Sequence, residues 1–407
     1  MIRRASEFGI ATGELRVDWG AAVDRAQAIV ERCSEPKPEQ LRAGGAELVQ
    51  GEGRFVDAHT VAVGERLLHA ESIVVATGAR LPSLPVEGIE LADSHVGLLE
   101  LRELPRRLVV VGGGVIGMEF AFMFARVGVE VSVVELLDHV IGRVDGDVRD
   151  AVGAAAARLG IGLHLSTRVE RLARSDGGDL VVEAQGPEGP LRLEADRVLL
   201  AAGMVPAVDG LGLDEAGVGY DRHGIPTDQT LRTNVPHIFA AGDVRAGAYQ
   251  LSPVATSEGL IAAGNALQDE QAVFDERIVP YLVGLTPPAA GVGLTEEEAR
   301  GQGLAVEIHR QDYAGVCPVG NVVGEPEGFV KLVAEAGSGR ILGAHVVGAG
   351  APELVQQVTF AMLGDLSVHQ AGALFVFPGL SQALQHALAP RPSHDPAYTP
   401  DHPAADT

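Results

Sequence analysis

Gly112-Gly113-Gly114-Val115-Ile116-Gly117 follows directly on the apolar run Leu108-Val109-Val110-Val111, and the acidic Glu135 closes the next apolar stretch, Val131-Ser132-Val133-Val134. Few patterns restrict a fold more. A strand that ends in this glycine spacing must turn tightly into a helix, and the helix must return to a second, parallel strand. In that unit Gly112 permits the turn and Gly114 lets backbone N–H groups approach a pyrophosphate. Gly117 lets the helix lie close on the strand, so that phosphates meet a helix N-terminus. Glu135 can accept from an adenosine ribose 2′-hydroxyl, and Leu136-Leu137-Asp138 brings no arginine for a 2′-phosphate. The expected ligand is NAD, with NADP less favoured, held by Gly112, Gly114, Val115, Ile116, Gly117 and Glu135.

A chain of 407 residues has room for two or three domains, so the nucleotide unit is only part of it. The formal charge of −24 argues against nucleic acid and anionic membranes as partners, since both require a positive footprint. The start, Met1-Ile2-Arg3-Arg4-Ala5-Ser6-Glu7, has no apolar core of a signal peptide, and no stretch approaches a membrane span. A cytoplasmic protein is expected. Cys33 and Cys317 lie far apart and form no metal-ligand or disulfide spacing, so both read as inert and no metal site is expected. Of the 31 basic residues only Lys37 and Lys331 are lysines, which reads as coding bias rather than chemistry.

Residues 18–44 carry helical apolar spacing, and Glu47 to Val75 alternates in short strands between Gly51, Gly53 and Gly64. A helix is expected near Val148 to Leu159, with strands around Leu180 to Leu200. Beyond Val279 strands are expected at Glu307–Gln311, Gly328–Ala334 and Ile341–Val347, and helices at Thr295–Arg300 and Ala351–Leu363. Thr295 and Glu298 form a capping-box pattern. The proline-containing tail from Pro390 has no apolar period and is expected to be disordered.

Two further runs flank the nucleotide unit. Ile73-Val74-Val75-Ala76-Thr77-Gly78 reads as a strand ending in a small-residue turn, and Ile238-Phe239-Ala240-Ala241-Gly242-Asp243 as a strand ending in Gly-Asp. An aspartate at the carboxyl end of a parallel strand can accept from a ribityl hydroxyl. With Gly203-Met204-Val205-Pro206, Ser252-Pro253-Val254-Ala255-Thr256-Ser257-Glu258-Gly259, Val292-Gly293-Leu294-Thr295-Glu296 and Gly328-Phe329-Val330-Lys331-Leu332, these runs resemble the pyridine nucleotide-disulfide oxidoreductase family. Dihydrolipoamide dehydrogenase, mercuric reductase, glutathione reductase and soluble transhydrogenase are among its members.

The resemblance covers residues 1–388 or nearly so. It implies an α/β flavoprotein with two dinucleotide-binding domains, the NAD domain inserted in the FAD domain, followed by a C-terminal α+β dimerisation domain. Residues 1–105 with 229–275 would form the FAD domain, 106–228 the NAD domain, 276–388 the dimerisation domain and 389–407 the tail. FAD would be held by Ala76, Thr77, Gly78, Gly242, Asp243 and Ala255. Glu119 would contact the nicotinamide carboxamide, with an ordinary solvated helix carboxylate as its alternative, and Gly203 would line the NAD side. A homodimer through residues 279–388 is implied.

Two departures from the family pattern stand out. The family's first glycine fingerprint and its Cys-x4-Cys helix have no counterpart here, so the FAD domain reads as incomplete; an upstream segment outside this reading frame is the first explanation, and a segment supplied by another chain the second. Near the C-terminus Phe377 and Gln382 stand where the family's thiol reductases carry an acid/base histidine and its orienting glutamate. Neither replacement can do that proton chemistry, so no catalytic residue is assigned. The resemblance therefore implies hydride transfer between nicotinamide and flavin without disulfide chemistry, of the soluble transhydrogenase or NADH:acceptor type, with a small-molecule acceptor or a second nicotinamide as partner. The alternatives are a dihydrolipoyl dehydrogenase or mercuric reductase lacking its N-terminus, and a non-catalytic NAD-binding and dimerisation remnant.

Overall fold

The structure, a computed structural model, describes residues 5–7, 9–13, 16–268, 271–316, 324, 326–372 and 375–388. The expected disordered tail and Cys317 lie outside the described residues. The chain divides into two compact units: Met1–Asp138 with Leu159–Phe274, and His139–Arg158 with Asp275–Thr407.

In the first unit a four-stranded parallel sheet runs in the order Arg197–Leu200, Arg107–Val111, Glu130–Val134, Gly162–His164. Leu108, Val109, Val110 and Val111 are all buried, the pattern of a strand covered on both faces. The helix Val115–Arg126 crosses between the first two strands of the unit and buries Met118, Phe120, Ala121, Phe122 and Phe124. Next to this sheet in sequence is an antiparallel meander of Arg168–Arg174, Leu180–Gly186 and Gly189–Ala195. Leu172, Val182, Ala184 and Ala195 join Val109, Val111 and Val198 in one core cluster.

The strands Ile73–Val75 and Ile238–Ala240 pair in parallel and form a two-stranded sheet, with the helix Ser252–Gln268 packed on them. Residues 18–44, expected to be helical, form two helices, Trp19–Ser34 and Pro36–Ala43. Pro36 explains the break, because its ring removes an N–H donor and clashes with the preceding turn. The strands expected from Glu47 begin at Gly53 and make the meander Gly53–Asp57, Thr60–Val63 and Arg66–His69.

The second unit is built on a five-stranded antiparallel sheet in the order Tyr281–Val283, Ala289–Gly293, Ile341–Gly348, Gly328–Glu335, Val306–Asp312. Every residue of Ile341–Gly348 is buried. Leu354, Val355 and Val358 of the helix Ala351–Leu363, and Leu384 and Leu388 of Ser381–Leu388, complete its main core. The helix Gly146–Arg158, which interrupts the nucleotide unit in sequence, packs on Ile341–Gly348. The Thr295 capping box forms: Glu298 N–H donates to Thr295 Oγ1 at 3.1 Å, and Thr295 N–H to Glu298 Oε2 at 2.9 Å.

Candidate functional site

Gly112 has φ +108°, and a Cβ there would lie 2.4 Å from the Ala201 carbonyl oxygen. At Gly117 an added Cβ would lie 2.0 Å from the Gly112 carbonyl oxygen. Both positions exclude any side chain. Gly114, the N-cap of the helix Val115–Arg126, differs: a Cβ there would meet nothing within 4 Å. Bare backbone thus borders open space at a helix N-terminus, the setting an anionic pyrophosphate requires. Val115 and Ile116 open that helix, and Glu119 sits half-buried one turn on, between buried Met118 and Phe120.

Glu135 does more than the sequence implies. Its Oε2 accepts from Gly113 N–H at 2.5 Å and its Oε1 from Leu137 N–H at 2.8 Å. The carboxylate therefore braces the glycine turn, and with about four lone-pair sites it can still accept from a ribose hydroxyl. The residues present fit a dinucleotide.

At the turn that the family resemblance assigns to the flavin, Ala76 and Thr77 are exposed and Gly78 is half-buried. Thr77 Oγ1 donates to the Ala207 carbonyl at 2.9 Å, and Ala207 N–H donates to the Gly78 carbonyl at 2.9 Å, which ties the turn to Val205–Pro206. Gly203, at φ +93°, is exposed just before that short strand. Ala241 N–H bonds the Val75 carbonyl, bringing the Gly242–Val244 turn beside the first strand. Gly242 has φ +73° and lies against Ala255, whose Cβ would be 3.1 Å from a Cβ at Gly242.

The residues that hold this turn were not singled out as site residues from sequence. Gly242 N–H donates to Glu258 Oε2 at 2.7 Å, and Arg245 forks onto Glu258 Oε1 with Nε at 3.1 Å and Nη2 at 2.7 Å. Glu258 is fully buried and Arg245 only 6% exposed. Burial, then the neighbouring negative charge of Glu258, pushes the Asp243 carboxyl above the usual carboxylate range. No side-chain or backbone donor to Asp243 is present among the described residues. A half-buried carboxylate with open acceptor sites fits a polyol such as a ribityl chain.

Phe377 and Gln382 belong to the second unit. Phe377 is 71% exposed, and the buried Oε1 of Gln382 has no donor among the described residues. His345 is buried, with Nε2 against the Leu294 carbonyl at 3.1 Å and Nδ1 against Tyr281 Oη at 3.5 Å; His386 is exposed on the last helix. Lys331, one of the two lysines, is buried among carboxylates, a pairing the sequence did not show. Its ammonium, on a side chain 4% exposed, lies 2.9 Å from Asp145, 3.0 Å from Asp147 and 2.8 Å from Glu296. Burial alone would disfavour the charge, but the three carboxylates outweigh it and raise the Lys331 pKa. Among the described residues no cluster of His, Cys, Asp and Glu is placed to hold a metal ion, and no helix is long and apolar enough to cross a membrane.

The pyridine nucleotide-disulphide oxidoreductase pattern matches residues 15–259, and the dimerisation domain of the same family matches residues 279–388. The chain belongs to the pyridine nucleotide-disulphide oxidoreductase family. Its members are FAD- and NAD-dependent oxidoreductases, and the two-domain flavoprotein architecture with a C-terminal dimerisation domain holds for this chain. The dihydrolipoyl dehydrogenase of Mycobacterium tuberculosis is 35% identical over 396 residues, 94% of this chain and 84% of the relative. That of Bacillus subtilis is 32% identical over 397 residues, covering 95% and 85%. Among solved structures, LpdA from M. tuberculosis superposes with TM-score 0.85 at 26% identity over 95% of this chain and 85% of that one. The HOCl-induced flavoprotein disulfide reductase RclA from Escherichia coli gives 0.81 at 27% identity, over 91% and 85%.

Proposed function

We propose that this family member moves hydride between NAD(H) and FAD without dithiol exchange, as a soluble transhydrogenase or NADH:acceptor reductase does, with a small-molecule acceptor or a second nicotinamide as electron partner. The observation that carries the reading is Phe377, exposed where the family's thiol reductases hold their histidine, together with Gln382, whose amide cannot stabilise an imidazolium. FAD supplies the two-electron relay. The protein's part is to seat NAD on the Gly112–Gly117 turn with Glu135 on the ribose and Glu119 toward the carboxamide, and to seat the flavin by Ala76-Thr77-Gly78, Gly242, Asp243 and Ala255, so that the two rings meet face to face.

Pairing of two copies through residues 279–388 belongs to the same reading. Phe360, Leu363 and Val376 are 65%, 60% and 76% exposed, an apolar surface that association would cover. A second reading, dihydrolipoyl dehydrogenase, is favoured by the names of the relatives at 32–35% identity. A paired assay on FAD-loaded protein extended at its N-terminus by a relative's glycine-fingerprint and Cys-x4-Cys segment separates the two, comparing NADH-dependent dye reduction with dihydrolipoamide-dependent NAD reduction. General acid/base assistance is commonly worth about 10²–10⁴-fold. Dye reduction with a dihydrolipoamide rate lower by that factor than in a histidine-containing relative supports the proposal; a matching rate rejects it.

A further inference from the structure

Glu258 and Arg245 form a buried ion pair beside the Gly242–Val244 turn, and its geometry goes beyond stabilisation. Glu258 divides its oxygens: Oε1 takes both guanidinium contacts, and Oε2 takes the Gly242 N–H at 2.7 Å. That amide belongs to a residue at φ +73°, immediately before Asp243. Arg245 in turn spans the turn, reaching Thr227 Oγ1 with Nη1 at 3.4 Å, while its own N–H bonds the Gly242 carbonyl at 3.0 Å. The Gly242 N–H is thus held by the Glu258 side chain and its C=O by the Arg245 backbone N–H, while the guanidinium ties that same residue back to Glu258. A carboxylate on an aspartate inside such a brace has its backbone set before any ligand arrives.

We propose that Arg245 and Glu258 are positioning residues for flavin recognition, holding the Gly242-Asp243 turn so that the Asp243 carboxylate is presented, with no protein donor of its own, to the ribityl hydroxyls. The inference rests on the assignment of Asp243 to the flavin. Among the described residues the charged groups at the turn are Glu258 from the helix Ser252–Gln268 and Arg245, which directly follows the turn; the strand Val205–Pro206, which also packs on the turn, brings no titratable side chain. Glu258→Gln keeps an acceptor for Gly242 N–H but removes the charge that holds the guanidinium.

The test is FAD binding to the full chain, followed by flavin fluorescence anisotropy, with NAD binding followed by intrinsic fluorescence as the control. Glu258→Gln should weaken FAD roughly tenfold while NAD changes by less than about twofold, and it should shift the low-pH loss of FAD affinity to lower pH, because Asp243 then has one negative neighbour fewer. In an Asp243→Asn background the same Glu258→Gln change should cost less than about twofold, since the group it positions is gone. Arg245→Lys, which keeps the cation, should recover most of the affinity lost in Arg245→Met, and it carries the test if Glu258→Gln melts. Equal losses with and without Asp243, or an unmoved pH profile, overturn the positioning role. An Asp243→Asn protein that binds FAD as tightly as the parent, or a parent that binds none, overturns the flavin assignment on which it rests.

Discussion

Two glycine turns in the first unit are held in the same way and serve different ends. At the Gly112–Gly117 turn Glu135 accepts from Gly113 N–H at 2.5 Å; at the Gly242–Val244 turn Glu258 accepts from Gly242 N–H at 2.7 Å. Glu135 is half-exposed, braces a backbone that faces open space and keeps lone pairs for a ligand. Glu258 is fully buried and committed to Arg245. The sheets behind them differ too, four parallel strands against two. A turn backed by a complete parallel sheet can lend its brace to ligand chemistry. One backed by two strands spends its brace on itself and, on the proposed reading, leaves recognition to the next residue, Asp243.

The sharpest way to break this contrast is to truncate each glutamate. Glu258→Leu leaves the Arg245 cation buried without its partner, and a loss of about 3–5 kcal/mol in stability is expected, read by urea denaturation. Glu135→Leu, at a partly exposed site, should cost roughly 1 kcal/mol in the same measurement yet weaken NAD in calorimetry. Equal stability losses would erase the distinction.

Gly117→Ala asks whether the nucleotide turn depends on close packing rather than on its brace. The new methyl would sit 2.0 Å from the Gly112 carbonyl oxygen, and overpacking of that kind costs about 1–3 kcal/mol. NAD affinity by calorimetry should fall about ten- to a hundredfold, with the helix still formed by circular dichroism. Unchanged affinity would show that the turn adapts.

A smaller effect concerns nucleotide choice. On the proposed reading Glu135 accepts from a 2′-hydroxyl and repels a 2′-phosphate, so NAD should bind at least tenfold tighter than NADP, about 1.4 kcal/mol. Equal or tighter NADP binding would mean that the brace leaves no charge facing the ribose.

The smallest effect lies in the second unit, where a buried group is held neutral rather than paired. Burial holds His345 below the ordinary histidine value of 6.5, so the unfolded chain takes up the proton first. Stability is then full above that value and declines as pH falls below it, by about 1 kcal/mol over the first unit. Melting temperatures at pH 7.5 and 5.5 check this, and His345→Gln should flatten the difference. A rise in stability over that interval would show that the imidazole is charged when folded.

The glycine turn was legible in the sequence because part of its constraint is local: Gly112 needs φ +108°, and Gly117 packs on the Gly112 carbonyl five residues back, although the approach of Gly112 to Ala201 is long-range. Thr295 with Glu298 was legible for the same reason. Pro36 marked a helix break that the apolar spacing of residues 18–44 concealed. What could not be read was pairing across distance. Arg245 and Glu258 are 13 residues apart, and Lys331 and Asp145 are 186 apart, with nothing in either neighbourhood naming the other. The Gly-Asp run did point to Asp243, and its position two residues before an arginine was the only available hint of the brace.

Lys331 also changes how the whole molecule meets reagents. With two lysines in 407 residues and one of them sealed among three carboxylates, Lys37 on the exposed helix Pro36–Ala43 is the lysine side chain that an amine-directed label can reach in the folded protein. With the α-amine blocked, coupling a surface, a dye or a crosslinker through ε-amines therefore attaches this protein in one orientation, by a helix remote in sequence from both glycine turns, and uptake of a second label counts molecules whose second unit has opened.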